Sequence, residues 1–146
     1  MILLVLAGVV IAMVLGSLWY SPKTPMGKLH MRYLGMDKLT PEEQKAKMES
    51  VKPMMAKMYA GQALLSLLVS ASTVYVVTLS IHNGLSAMAA IGFPLFNWLT
   101  FMVPAIGTGI LWSNCPRSLA WKKFFSDIGF FFVMILLTGI LASFFA

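Results

Sequence analysis

The stretch that decides the fold is residues 2–20, ILLVLAGVVIAMVLGSLWY, which contains no Asp, Glu, Lys or Arg. Three more uncharged stretches follow at residues 58–81, 88–112 and 128–146. Because an α-helix rises about 1.5 Å per residue, each stretch is long enough to cross a bilayer core of about 30 Å. Lipid offers the backbone no hydrogen-bond partner, so a helix is the expected form of each stretch. We therefore predict an all-α, polytopic membrane protein with four transmembrane helices arranged as two hairpins.

The composition agrees with a single transmembrane domain over residues 1–146. Hydrophobic residues make up 59% of the chain and charged residues 11%, whereas a soluble domain has about 25% charged residues. This excludes an ordinary soluble protein. The single cysteine, Cys115, rules out an intrachain disulfide and a metal centre built from cysteines alone.

The basic residues are confined to two connections. All 11 lie either in residues 21–57 or at Arg117, Lys122 and Lys123. The positive-inside rule places both connections in the cytoplasm and both termini on the outer side. Positive charge in this position indicates anionic lipid headgroups as partners, and it removes most of the support for nucleic-acid binding.

Residues 21–57 form the cytoplasmic loop, and their pattern is that of helices. Thr40-Pro41-Glu42-Glu43 has the residues of a capping box and predicts a helix starting at Pro41. That helix is amphipathic and should lie at the membrane interface, with a bend at Pro53 before the second span. A second short helix is predicted over residues 26–34, ended by Gly35.

The apolar stripe of the interfacial helix contains several of the chain's 12 methionines. Methionine thioethers can bind Cu(I), but unbranched methionine also fills irregular apolar surfaces. The spacing favours packing at the membrane surface, and no metal site is assigned.

Polar residues within the second and third spans are the candidate site, either as the lining of a small polar cavity or as helix-packing contacts. Asn97 and Gln62 are the only side-chain amides in any span. Pro104 removes a helical hydrogen bond and predicts a kink. The full set is Gln62, Ser66, Ser70, Thr73, Asn97, Thr100 and Pro104.

Other single residues receive simpler roles. The rings of Trp19, Tyr20, Trp112 and Trp121 are expected to anchor the spans at the cytoplasmic headgroup level. Asp127 is expected to cap the fourth helix, since it directly precedes residues 128–146.

The sequence offers little for catalysis. His30 and His82 fall on opposite sides of the membrane in the predicted topology, and Cys115 has no neighbouring histidine base. No catalytic residue and no cofactor is assigned. A membrane enzyme that uses Cys115 or His30 is less favoured than the two functions described below.

Two blocks of residues carry a resemblance to a known family. Leu-Trp-Tyr-Ser-Pro at residues 18–22, with Gly27, Lys28, Met31 and Gly35 after it, resembles the opening signature of the bacterial membrane family catalogued as domain of unknown function 1761. A second block, in the third span and at the start of the fourth, resembles the closing signature of that family. Its residues are Trp98, Leu99, Phe101, Pro104, Pro116, Arg117, Trp121, Lys122, Phe124, Asp127 and Gly129. The resemblance implies a four-helix protein of the bacterial inner membrane and supplies no reaction.

Two functions remain open. The first is a non-catalytic accessory or assembly subunit that packs laterally against other membrane protein subunits in a larger complex, with respiratory and photosynthetic complexes as candidates. The alternative is a small homo-oligomeric carrier or binder of a neutral hydrophobic molecule around Gln62, Asn97 and Pro104. Spans without Asp, Glu, Lys, Arg or His argue against proton-coupled transport and ion pumping.

Overall fold

The computed structural model describes residues 1–146 and contains helices and no strand. Its elements are α1 (Ile2–Trp19), α2 (Pro25–Tyr33), a 3-10 turn (Met36–Lys38), α3 (Pro41–His82), α4 (Ala87–Asn97), a π-helical segment (Trp98–Met102), α5 (Val103–Leu111) and α6 (Arg117–Phe144). Four helical stretches are long and apolar enough to cross a membrane: α1, α3, the stretch from α4 to α5, and α6. The all-α fold class and the four candidate spans are thus confirmed.

The short helix predicted near the start of residues 21–57 is present as α2. The Thr24 hydroxyl caps it by accepting a hydrogen bond from the Gly27 N–H, at 3.0 Å, and Pro25 occupies its first turn. Gly35 follows the helix with φ 68°, a left-handed conformation that favours glycine. Local sequence signals were sufficient to locate this helix.

The second long helix is more extensive than predicted. The capping box is confirmed, because the Glu43 N–H donates to Thr40 Oγ1 and the Thr40 N–H donates to Glu43 Oε2. The helix then continues past Pro53 to His82 as one element of 42 residues, about 63 Å long. A separate surface helix ending near Val51 is therefore not observed. Proline removes only one hydrogen bond, and the turns on both sides of Pro53 keep the helix continuous.

The third span is irregular, as its prolines predicted. The π-helical segment lies directly before α5, whose second residue is Pro104. Proline has no N–H to give the carbonyl four residues earlier, and a π-type widening relieves the steric conflict between its ring and the preceding turn. This irregularity divides the third span into α4 and α5.

Two helices form the centre of the bundle. α3 and α6 contact each other, α1 packs against both, and α4 also packs against both, while α2 and α5 pack on α6. One apolar cluster joins α1 to α6 through Ala12, Phe130, Met134 and Ile135. Another joins α3, α4 and α6 through Val74, Val77, Ala90 and Ala142. Every other helix therefore depends on α6 for its position.

Candidate functional site

The hydroxyl face of the second span lies inside the bundle. Ser66, Ser70 and Thr73 are buried. They lie on α3 near α1 and α6, because a Cβ added at Gly8 of α1 would stand 2.8 Å from Ser70 Oγ and 2.9 Å from Thr138 Cγ2. Ser70 therefore packs on a glycine of the first span.

The other candidate residues are exposed. Gln62 donates to Ser66 Oγ of its own helix, at 3.4 Å. Thr100 Oγ1 donates to the Phe96 carbonyl at 2.9 Å, and Pro104 is exposed. The neighbouring Trp98 Nε1 donates to the Ile128 carbonyl, whereas the exposed Asn97 amide has no hydrogen-bond partner within the chain.

The structure therefore does not gather the seven predicted residues into one site. Spans two and three meet instead through the apolar contact of Val74 and Val77 with Ala90. Gln62, Asn97 and Pro104 are exposed within one chain, so a cavity that these residues line stays a prediction.

The four aromatic residues predicted as membrane anchors fall into two groups. Trp112 is 85% exposed, and Trp121 is exposed as well. Trp19 and Tyr20 are half-buried and are tied to α6, because Trp19 Nε1 donates to Ser126 Oγ at 3.2 Å and the Tyr20 hydroxyl donates to Asp127 Oδ1 at 2.7 Å. Through these hydrogen bonds, Trp19 and Tyr20 hold the end of α1 against α6.

Asp127 does not cap a helix, and that prediction is wrong. α6 begins at Arg117, with Pro116 at its N-cap position, so Asp127 lies well inside the helix. Its carboxylate accepts hydrogen bonds from the Tyr20 hydroxyl and from the Lys123 ammonium one turn earlier. Charged residues end the uncharged stretch in the sequence, but an acid and a base four residues apart can pair within a continuous helix.

Lys123 and Asp127 form an ion pair in a largely buried setting. Their side chains are 9% and 20% exposed. The Lys123 ammonium also lies over two aromatic rings, 5.2 Å from the Tyr20 centroid and 5.7 Å from the Tyr33 centroid. Charges removed from water are tolerated only when such partners compensate the lost hydration. We call Tyr20, His30, Lys123 and Asp127 the polar cluster.

His30 completes the polar cluster from α2. Its ring lies against the Tyr20 ring, with centroids 5.2 Å apart, and its Nδ1 atom is buried without a hydrogen-bond partner. Burial lowers the pKa of His30 below its ordinary value, and the positive charge of Lys123 lowers it further, while Asp127 acts in the opposite direction. The imidazole is therefore neutral at pH 7.

The polar cluster joins α1, α2 and α6. It contains one histidine and one carboxylate, and no group of three His, Cys, Asp or Glu side chains suited to a metal ion occurs in the chain. Cys115 is half-buried against the apolar cluster of Ile110, Ala120 and Phe124. The arrangement neutralises charge within α6 through the Lys123–Asp127 pair, and the hydrogen bond from the Tyr20 hydroxyl links that pair to the end of α1.

Sequence reasoning missed Lys123 and the role of His30. The spacing of Lys123 and Asp127 was a usable signal, because i and i+4 residues share a helix face. His30 gave no comparable signal. Its neighbours come from α1 and α6, which a local pattern does not bring together.

Several residues behind the family resemblance meet around the polar cluster. A Cβ at Gly27 would stand 1.8 Å from the Ser21 carbonyl oxygen, so only glycine lets α2 turn back closely on the end of α1. A Cβ at Gly129 would stand 3.5 Å from Trp19, an ordinary packing distance. The opening and closing signatures are thus in direct contact.

Comparison with known proteins gives one family match. The family model described as "Protein of unknown function (DUF1761)" matches residues 3–142. No curated protein and no solved structure matches the chain.

Proposed function

The chain belongs to the DUF1761 family, and we propose that it is a non-catalytic integral membrane subunit that packs laterally against other proteins in a larger complex of the bacterial inner membrane. The single observation that carries this proposal is the exposed Asn97 amide without a partner. In lipid, such an amide favours a neighbouring helix that can accept and donate hydrogen bonds.

The surroundings of Asn97 support a protein neighbour. Only 11% of the residues in the most apolar part of the third span are buried, against 39% in the most apolar part of α6. Phe93 and Phe96, in the turn before Asn97, are 50% and 62% exposed. An unpaired amide on such an exposed face suits a helix–helix contact in a membrane, because Asn side chains there form hydrogen bonds across helices.

The orientation is part of the same proposal. The basic residues all lie either in the connection from α1 to α3 and the first part of α3, or in the first part of α6, next to its connection with α5. We infer that both connections are cytoplasmic, that both termini are outside, and that α1 pairs with α3 and the third span with α6 as two hairpins. The amphipathic part of α3 before residue 58 would then lie near anionic headgroups.

Native electrophoresis after extraction in mild detergent tests the proposal. We expect the wild-type chain to migrate in a complex with other membrane proteins and Asn97→Leu to be released from it, because leucine removes the amide that the partner satisfies. Ser72→Leu is the control, since Ser72 is exposed on α3 and the change is also polar to leucine.

Two outcomes would contradict the subunit proposal. Migration of the wild-type chain alone, with no other protein, would remove it. A complex made only of copies of this chain that Asn97→Leu dissociates would favour the homo-oligomeric carrier or binder, because Gln62, Asn97 and Pro104 are exposed and could line a cavity only between copies.

A further inference from the structure

A groove lies between α2 and the start of α6, beside the polar cluster. Its volume is about 560 Å³, which is within the range of small-molecule binding sites. Lys28 and Arg32, one turn apart on α2, border it on one side, and Lys122 of α6 borders it on the other. Met26, Leu29 and Phe125 supply apolar surface.

The three cations of this groove have no acidic partner. The ion pairs of the chain are Lys52 with Glu49 and Lys123 with Asp127, so Lys28, Arg32 and Lys122 carry uncompensated charge. A smaller adjoining cavity of about 310 Å³ shares Lys28 and Arg32 and includes Asp37, but Asp37 forms no ion pair with either. The groove is therefore a concentrated positive site.

We propose that this groove binds one anionic phospholipid, with the phosphate held by Lys28, Arg32 and Lys122 and an acyl chain lying against Met26, Leu29 and Phe125. A guanidinium can hold a phosphate through two parallel hydrogen bonds, and the two ammonium groups add point charges. This inference is independent of the proposed lateral subunit role.

The apolar side of the groove favours a lipid over a soluble anion. Phe125 is 63% exposed, and the neighbouring Trp121 is exposed as well, so the groove opens beside a surface suited to the headgroup region of a bilayer. A free phosphate would use the cations and leave Met26, Leu29 and Phe125 in water. An acyl chain covers that surface.

Native mass spectrometry of the purified full-length chain in neutral detergent can measure lipid binding. We expect one phosphatidylglycerol to bind more tightly than phosphatidylcholine. The double variant Arg32→Gln/Lys122→Gln should weaken phosphatidylglycerol binding by about 25-fold, because the loss of each cation weakens binding by about fivefold. The control, Lys45→Gln with Lys57→Gln, removes two basic residues that do not line the groove and should leave binding unchanged.

Three results would overturn the proposal. The first is equal binding of phosphatidylglycerol and phosphatidylcholine by the wild-type chain. The second is displacement of bound phosphatidylglycerol by inorganic phosphate at the same concentration, which would indicate a site for soluble anions. The third is an equal loss in the control variant, which would indicate non-specific attraction. The first two use the wild-type chain and do not depend on the folding of a variant.

Discussion

At the scale of single residues, the ion pair of Lys123 and Asp127 makes the strongest prediction. Replacing Asp127 by Asn leaves the Lys123 ammonium largely buried without a counter-charge and weakens the bond from the Tyr20 hydroxyl. Breaking a buried pair in this way costs about 3–5 kcal/mol. We expect Asp127→Asn to lower the free energy of unfolding in detergent by that amount, as measured by denaturant titration.

The controls for this prediction use the chain's other pair and a double replacement. Glu49→Gln breaks the ion pair of Glu49 and Lys52, whose side chains are 61% and 71% exposed, respectively. This change should lower stability far less than Asp127→Asn does. Lys123→Met combined with Asp127→Leu removes both charges and should recover most of the loss. Equal effects of Asp127→Asn and Glu49→Gln would show that the pair is not desolvated.

His30 predicts a pH dependence with a definite sign. Its pKa is lower in the folded protein than the value of about 6.5 expected when unfolded. The unfolded chain therefore binds the proton first as pH falls, so stability decreases from about pH 6.5 down to the folded pKa and then stays level. At higher pH this loss is absent.

The measurement is the free energy of unfolding as a function of pH for the wild type and His30→Gln. We expect the difference in the free energy of unfolding between the wild type and His30→Gln to change between about pH 6.5 and the folded pKa of His30. The wild type should lose more stability as pH falls through this range. His82→Gln, which changes an exposed histidine at the C-terminal end of α3 and away from the polar cluster, serves as the control. A His30→Gln curve parallel to the wild type would contradict the prediction.

At the scale of elements, Gly8 determines how closely α1 approaches α3 and α6. A Cβ there would lie 2.8–2.9 Å from side-chain atoms of Ser70 and Thr138, so Gly8→Ala forces these neighbours or α1 itself to shift. Overpacking of this kind costs about 1–3 kcal/mol. We expect Gly8→Ala to lower the melting temperature in detergent.

Gly61 provides a control for Gly8, because its replacement by alanine should not lower the stability of the protein. It also lies in a long helix, but a Cβ at Gly61 meets no atom within 4 Å. Gly61→Ala should therefore be neutral or stabilise the chain by up to about 1 kcal/mol through helix propensity. If Gly8→Ala and Gly61→Ala shifted the melting temperature equally, close packing at Gly8 would be disproved.

At the scale of the whole molecule, the charge asymmetry predicts which connections face the cytoplasm. In a Cys115→Ser background, Lys38→Cys places a thiol in the connection from α1 to α3, and Asn83→Cys places one in the turn from α3 to α4. Both positions are exposed. A maleimide that cannot cross membranes should label Asn83→Cys in intact spheroplasts and Lys38→Cys only after lysis. The reverse pattern would invert the proposed orientation.

The sequence by itself determined the features that depend on neighbours along the chain. Uncharged stretches gave the four candidate spans, Thr40 and Glu43 gave the start of α3, and Pro104 gave the irregular third span. The blocks around Trp19 and Asp127 gave the family. Each of these rests on backbone hydrogen bonding, hydropathy or motif within a short segment, which a single sequence displays directly.

Only the tertiary structure decided what each helix face contacts. Periodicity placed Ser66, Ser70 and Thr73 on one face, but the partner of that face is Gly8 of α1. Asp127 has its role because Tyr20, distant in sequence, packs against α6, and the groove lined by Lys28, Arg32 and Lys122 exists because α2 folds back on α6. These contacts depend on how rigid helices fit together in three dimensions, and the energies that select among such arrangements are not encoded in any local segment.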